Sequence, residues 1–417
     1  MVQSSPIPSL MDRVPQEIHD MIIDIAAALP GAYVLKSASL VCRAWEAASR
    51  SHLFSSDFDF CPESISFLAN GAAERILNSI REARFEDSYR YAYDWNLEAL
   101  AIQMGEDMQK ILPKMTNLYS LAFLCCDAKL VISLVGKAFK GNEKITELRI
   151  WSSEEENPFP SYRSVRETIA HFPALEMLDW NNSILGSTED EATEFSAPVP
   201  PNLRTVDLGE EGVYDILDWL VEGGAAGSIQ CLAINTLFDD ELHFIRHFAR
   251  LEHLSLPGIL PSDERCEGEF ERMLAPCSRL KALQLGIRVS FPNFGRDALT
   301  PPDIGRSSSD LQVQSPESGK VPWYSELLAG ISSPVLSKLW LRVHYEEHPQ
   351  DPLDPMDWKT LNTLLQTSQS YAQLKELEIY AGGLSGRQRS SAEDCEKWIR
   401  KELNGVRSGI RLLVKAW

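Results

Sequence analysis

An apolar triplet, Leu-x-x-Leu-x-Leu with conservative exchanges, recurs nine times along this chain and restricts its fold more than any other feature. The copies are Leu118-Leu121-Phe123, Ile145-Leu148-Ile150, Leu175-Leu178-Trp180, Leu203-Val206-Leu208, Ile229-Leu232-Ile234, Leu251-Leu254-Leu256, Leu280-Leu283-Leu285, Leu336-Leu339-Leu341 and Leu374-Leu377-Ile379. Their starts are 27, 30, 28, 26, 22, 29, 56 and 38 residues apart. Alternation over the last three positions of each triplet has the two-residue period of a strand. Amphipathic stretches at 165–172, 214–221, 241–249, 269–274 and 358–367 fall between copies and predict helices. A strand followed by one helix cannot hide its own apolar face, but a stack of such units can.

The triplet and its spacing resemble leucine-rich repeats, whose period is about 20–29 residues. That resemblance implies parallel strands with outer helices in a curved solenoid. The step of 56 spans two periods, with one repeat lost or rebuilt. The Asn or Cys that pins the turn after the strand in that family is mostly missing: Ser183, Leu237 and Ile259 stand there, so irregular outer loops of unequal length are expected. Residues 291–322 are rich in Pro, Ser and Gly and poor in large aliphatics, which predicts a disordered surface insertion. The stretch from 410 to the end reads as a last strand or capping segment. Strand-like alternation at 54–60, a helical pattern over 65–83 and a strand or loop at 84–95 precede the array.

Ahead of the repeats, residues 12–54 carry a different pattern. On a helical wheel Val14, Ile18, Met21, Ile22, Ile25, Ala26 and Leu29 cover roughly 140°, and Ile23 widens the arc past 180°, where a surface helix needs only about 100°. Pro30-Gly31 breaks the chain, and two further short helical patterns follow, around 35–41 and around Trp45 and Ala48. Three helices in so few residues are near the size, about 40, below which a chain rarely stands alone. One apolar face is left over.

The order Val14-Pro15-x-Glu17-Ile18, then Ile22-Ile23, then Ser39-Leu40-Val41-Cys42-Arg43-x-Trp45 and His52-Leu53-Phe54 resembles the F-box, with Val14 in place of that family's usual Leu. The resemblance implies docking onto the Skp adaptor of cullin–RING ubiquitin ligases through Pro15, Ile18, Ile22, Leu40, Val41 and Trp45. The expected architecture is therefore α/β: a flexible tail at 1–11, a three-helix F-box at 12–54, a connecting helix and first irregular repeat at 55–116, and a leucine-rich-repeat solenoid at 117–417. The implied function is the target-selecting subunit of a Skp–cullin–F-box ligase. An adaptor-binding scaffold that ubiquitylates nothing is the alternative.

A formal charge of −20 argues against nucleic acid or an anionic membrane as partner, because phosphate binding is led by Lys and Arg. No apolar run is long enough to span a bilayer, and the N-terminal residues show no secretory pattern. Eight cysteines without a CxxC pair read as reduced thiols, and a cytoplasmic or nuclear location is expected.

No enzyme, cofactor or metal is expected. His344-x-x-Glu347-His348 matches a zinc-peptidase pattern but follows a strand-like run and ends at Pro349. His243 and His247 have i,i+4 spacing on an expected helix but lack a third ligand. Phosphate-cradling glycine loops and nucleophile elbows are absent from the sequence. Positions flanking the inward-facing strand residues point to the expected concave side. There Trp151, Asp179, Asp207, Trp340, Arg342, Glu378 and Tyr380 are the candidates for binding a protein target, one that is basic toward the middle repeats and meets an aromatic anchor at one or both ends.

Overall fold

The computed structural model describes residues 14–27, 33–55, 58–70, 74–86, 97–151, 159–181, 197–209, 213–260, 273–289, 327–345, 358–382, 392–407 and 409–416. The expected tail at 1–11 and insertion at 291–322 lie outside them. The chain divides into two compact units, Met1–Leu203 and Arg204–Trp417, with the division inside the stretch expected as one array.

The first unit opens with α1 (Gln16–Ala27), α2 (Tyr33–Ala38) and α3 (Arg43–Ser55). Ile23, Leu35 and Ala38 form their small core, with Ala26, Ala27, Trp45, Ala48 and Leu53 against it. Next come β1 (Phe58–Asp59), α4 (Pro62–Ala69), α5 (Glu74–Leu77) and β2 (Glu82–Glu86). The strand expected at 54–60 is thus shortened, because α3 runs on to Ser55. The single helical pattern over 65–83 is two helices and the start of a strand. Pro62 starts α4 without wasting an N–H, and Cys61 caps it. The unit continues with α6 (Leu97–Ile111), β3 (Ser120–Leu124), α7 (Ala128–Leu134), β4 (Glu147–Trp151), α8 (Tyr162–Ala170) and β5 (Met177–Asn181). Strands β1 to β5 lie side by side in sequence order, all parallel.

The second unit holds β6 (Thr205–Leu208), α9 (Val213–Glu222), β7 (Cys231–Ile234), β8 (Leu237–Phe238), a 3-10 helix at Asp239–His247, β9 (His253–Leu260), β10 (Ala282–Val289) and β11 (Lys338–Tyr345). It closes with α10 (Trp358–Thr367), β12 (Glu376–Gly382), α11 (Ala392–Glu402) and β13 (Arg411–Ala416). Its strands are parallel in the order β6-β7-β9-β10-β11-β12-β13, with β8 beside β9. The final strand expected near the end of the sequence is β13.

All nine triplets are buried, none of their side chains more than 5% exposed. Register follows from them: Leu121 pairs Leu148 and Leu148 pairs Leu178 in the first unit, while Leu254, Leu283, Leu339 and Leu377 pair in succession in the second. A one-residue slip would turn each apolar set to water, so the register is strongly specified. β10 and β11 pair directly although 56 residues separate their triplets, so the repeat missing from the sequence is also missing from the sheet.

A backbone device recurs at the strand starts. One carbonyl accepts two successive N–H groups of the next strand: Tyr119 from Thr146 and Glu147, Thr146 from Glu176 and Met177, Gln230 from Glu252 and His253, Ser337 from Lys375 and Glu376. Where the family's turn Asn is replaced by Leu237 and Ile259, the chain extends instead, and these two residues pair as β8 and the end of β9.

Candidate functional site

Two surfaces carry the residues singled out in the sequence. On α1 the spacing 18, 21, 22, 25 places Ile18, Met21, Ile22 and Ile25 along one side of the helix, and they are 40%, 50%, 39% and 60% exposed. The inward stripe is instead His19, Ile23, Ala26 and Ala27. Two successive N–H groups, of Leu40 and Val41, return to the carbonyls of Ser37 and Ala38. This turn after α2 leaves Leu40 86% and Val41 52% exposed. Pro15 is exposed at the start of α1.

Trp45 differs from the other five expected adaptor contacts. It is half-buried, and its indole N–H donates to Nδ1 of His19, whose ring it meets edge-on. The reason is volume. Its neighbours on α3 in the small core are Ala48 and Leu53, so the indole is needed to fill the space between three short helices. Asp24 on α1 accepts from His52 on α3 at 2.7 Å and ties the same two helices.

In the first unit Trp151 is 47% exposed at the end of β4, and its indole N–H reaches Oδ1 of Asp179 at 2.7 Å. Asp179 itself is only 8% exposed. Burial holds its carboxyl above the usual range, against the pull of the Trp151 bond and the Arg149 charge. The exposed carboxylate expected here is therefore a buried acceptor that fixes a tryptophan, since it sits directly beside Arg149 in the register and under the indole.

In the second unit Asp207 is half-buried opposite Ala233. The matching positions on β9 and β10 are Ser255 and Gln284, so the acidic middle expected from the sequence does not extend across this face.

The remaining candidates are drawn together. Lys338, Trp340 and Arg342 on β11 pair with Glu376, Glu378 and Tyr380 on β12, and these pair with Arg411, Leu413 and Lys415 on β13. All nine alternate with the buried Leu339, Leu341, Leu377, Ile379 and Val414, and so share the other face of the sheet. Glu378 lies in the middle and accepts from the Tyr380 hydroxyl at 2.6 Å. The Tyr380 bond, chiefly, with further hydrogen bonds shared with Glu376 and Trp340 and the charge of Lys415, keeps the Glu378 carboxyl below its usual range. Lys415 stands 5.4 Å from the centre of the Tyr380 ring and Lys338 5.6 Å from that of Trp340.

Three contributors to this grid, Arg411, Leu413 and Lys415, carry no triplet signal in the sequence, because Gly409 stands where β13 would need the first apolar residue. Similarly, Ile80, Ala83 and Phe85 are a buried triplet on β2 hidden by its alanine. The Phe85 ring stacks on Phe60 and Phe123.

The histidine patterns separate. His344 lies on β11, and Glu347 and His348 are outside the described residues. His243 and His247 lie on the 3-10 helix, where three residues per turn put i and i+4 on different sides. His243 lies against Phe244 instead, ring centroids 4.1 Å apart.

Parallel strands in register, each carrying a buried apolar triplet or its remnant and most followed by a helix, define both units as α/β solenoid segments of leucine-rich-repeat type. Among the described residues no helix is long and apolar enough to cross a membrane. No family model matches the sequence, and no curated protein matches it. Among solved structures the chain is similar to a chain from the yeast Rad7–Elc1 complex, at 11% identity, covering 95% of this chain and 91% of that one, with a TM-score of 0.38. It is also similar to an internalin, InlF, of Listeria monocytogenes, at 12% identity over 85% and 89% of the two chains, with a TM-score of 0.33. For internalin C2 of the same bacterium the identity is 16%, the shares are 66% and 83%, and the TM-score is 0.25.

Proposed function

We propose that the chain is the target-selecting subunit of a Skp–cullin–F-box ubiquitin ligase, with α1 to α3 docking on the adaptor and the repeat strands holding a protein target. One observation carries this reading. Of the eleven large apolar side chains exposed among the described residues, six fall between Ile18 and Val41: Ile18, Met21, Ile22, Ile25, Leu40 and Val41. Apolar surface left in water forfeits about 25 cal/mol per Å² that burial would recover, and such a concentration marks an interaction site. Catalysis is not assigned to this chain. Its contribution is proximity, by raising the effective concentration of target lysines near a charged conjugating enzyme.

The test is capture of purified Skp adaptor, and through it cullin, by the full chain and by Leu40→Asp and Ile22→Asp variants. These sites are exposed, so folding is preserved, whereas Trp45→Ala would confound the result by emptying the small core. The expected result is capture by the wild type and loss of at least about 2 kcal/mol in each variant, the scale of an interface hot spot. Capture unchanged by both substitutions would remove the reading. Capture of adaptor without cullin would favour a scaffold.

A further inference from the structure

The nine-residue grid on β11, β12 and β13 has an arrangement of charge opposite to that of the chain as a whole. Its four corners are Lys338, Arg342, Arg411 and Lys415, all exposed, while the central column and row (Glu376, Glu378, Tyr380, Trp340 and Leu413) are half-buried. Four cations stand against two carboxylates in a chain whose formal charge is −20. Both carboxylates face inward partners: Glu376 lies between Lys338, at 3.6 Å, and Arg411 in the register, and Glu378 takes the Tyr380 hydroxyl. In the Lys338–Glu376 pair only the lysine is exposed, and at 3.6 Å the pair holds its partners by about 1 kcal/mol, so an incoming anion competes for Lys338. Between the cations the indole of Trp340, the ring of Tyr380 and the side chain of Leu413 supply an apolar floor.

With strands about 4.8 Å apart and residues rising about 3.3 Å, the grid measures roughly 10 by 13 Å and seats about four residues of an extended chain. Trp, Tyr and Arg at its centre and rim are the residue types that anchor protein interfaces.

We propose that this grid is the target-binding patch, and that it takes an acidic protein segment in which Asp or Glu side chains flank an apolar residue. This deepens the proposed role in target selection and rests on it. The cations at the corners meet the acidic side chains and the apolar residue lies on Trp340 and Leu413. The basic target suggested by the strand-face carboxylates of the sequence is replaced at this end by its opposite.

The probe is a fluorescein-labelled dodecapeptide alternating Glu and Leu with Gly spacers, titrated with the full chain and followed by anisotropy. A Lys-for-Glu version and a phosphoserine-for-Glu version serve as comparisons. The acidic peptide should bind, the basic one should not, and binding should weaken as salt rises. Arg342→Glu with Lys415→Glu should weaken it by about tenfold or more, and Trp340→Ala separately by about tenfold. Leu40→Asp should leave it unchanged. Equal binding of acidic and basic peptides, or indifference to the double reversal in a variant that keeps its circular dichroism and melting temperature, would overturn the proposal. Tighter binding of the phosphoserine peptide than of the carboxylate one would overturn the choice of occupant. Adaptor capture is scored in the same preparations: its failure alone strikes at the ligase reading, and failure of peptide binding alone strikes at the grid.

Discussion

Taking a carboxylate out of water costs free energy, and at Asp179 that cost outweighs one hydrogen bond from Trp151 and the charge of Arg149. Because its pKa is raised on folding, the folded chain keeps a proton there that the unfolded chain has already released. Stability therefore falls as pH rises from about 4, where an ordinary Asp ionises, through the raised value. Asp179→Asn keeps an oxygen for the Trp151 N–H and removes the charge. Its melting temperature should match wild type near pH 4 and exceed it by a margin that grows toward neutrality, measured by differential scanning calorimetry. Such residues set the limit of what a linear reading recovers. The side on which Asp179 lies was legible from alternation, but its burial depends on an indole two residues along the neighbouring strand. Trp45 is the same case: its place in the motif was plain, while its inward turn depends on the small partners beside it in the core of the trio.

Among the elements, β9 and β10 show how tightly strands approach where a repeat is irregular. The register between them shifts at Leu285 to Ile287, and a Cβ on the intervening Gly286 would lie 1.5 Å from the carbonyl oxygen of Pro257. The nearest atoms are all backbone of Pro257, so no flexible side chain can yield. Gly286→Ala should cost about 3 kcal/mol or more, read as a lower urea midpoint, because overpacking here moves whole strands. Strands with three apolar residues were legible because each triplet states its own register. β2, with an alanine in the second place, was not, and β13, lacking the first residue, was legible only as a last strand or capping segment without a stated register. Helices followed the same logic: 358–367 matches α10, while the stretch at 241–249 formed a 3-10 helix starting at Asp239, since apolar periodicity does not separate the two helix types over nine residues.

At the level of the whole molecule, an excess of twenty negative charges repels itself most when the chain is compact. Isolated exposed ion pairs, such as Arg50–Glu46, Arg163–Glu167 and Lys397–Glu393, each offset only a few tenths of a kcal/mol of this. Raising sodium chloride from about 20 to about 200 mM should accordingly raise the melting temperature by a few degrees, since screening relieves the repulsion more than it weakens the pairs. A fall on adding salt would mean that local pairing dominates. The contact of β10 with β11 has a separate implication for engineering. The chain leaves the sheet after Val289 and returns at the adjacent rung with Lys338, and the last part of that connection belongs to the core, with Leu327, Leu328, Ile331 and Leu336 buried. A fluorescent reporter or an affinity handle spliced within 291–322, ahead of those buried residues, should ride on the protein as a passenger, with Leu283 still meeting Leu339.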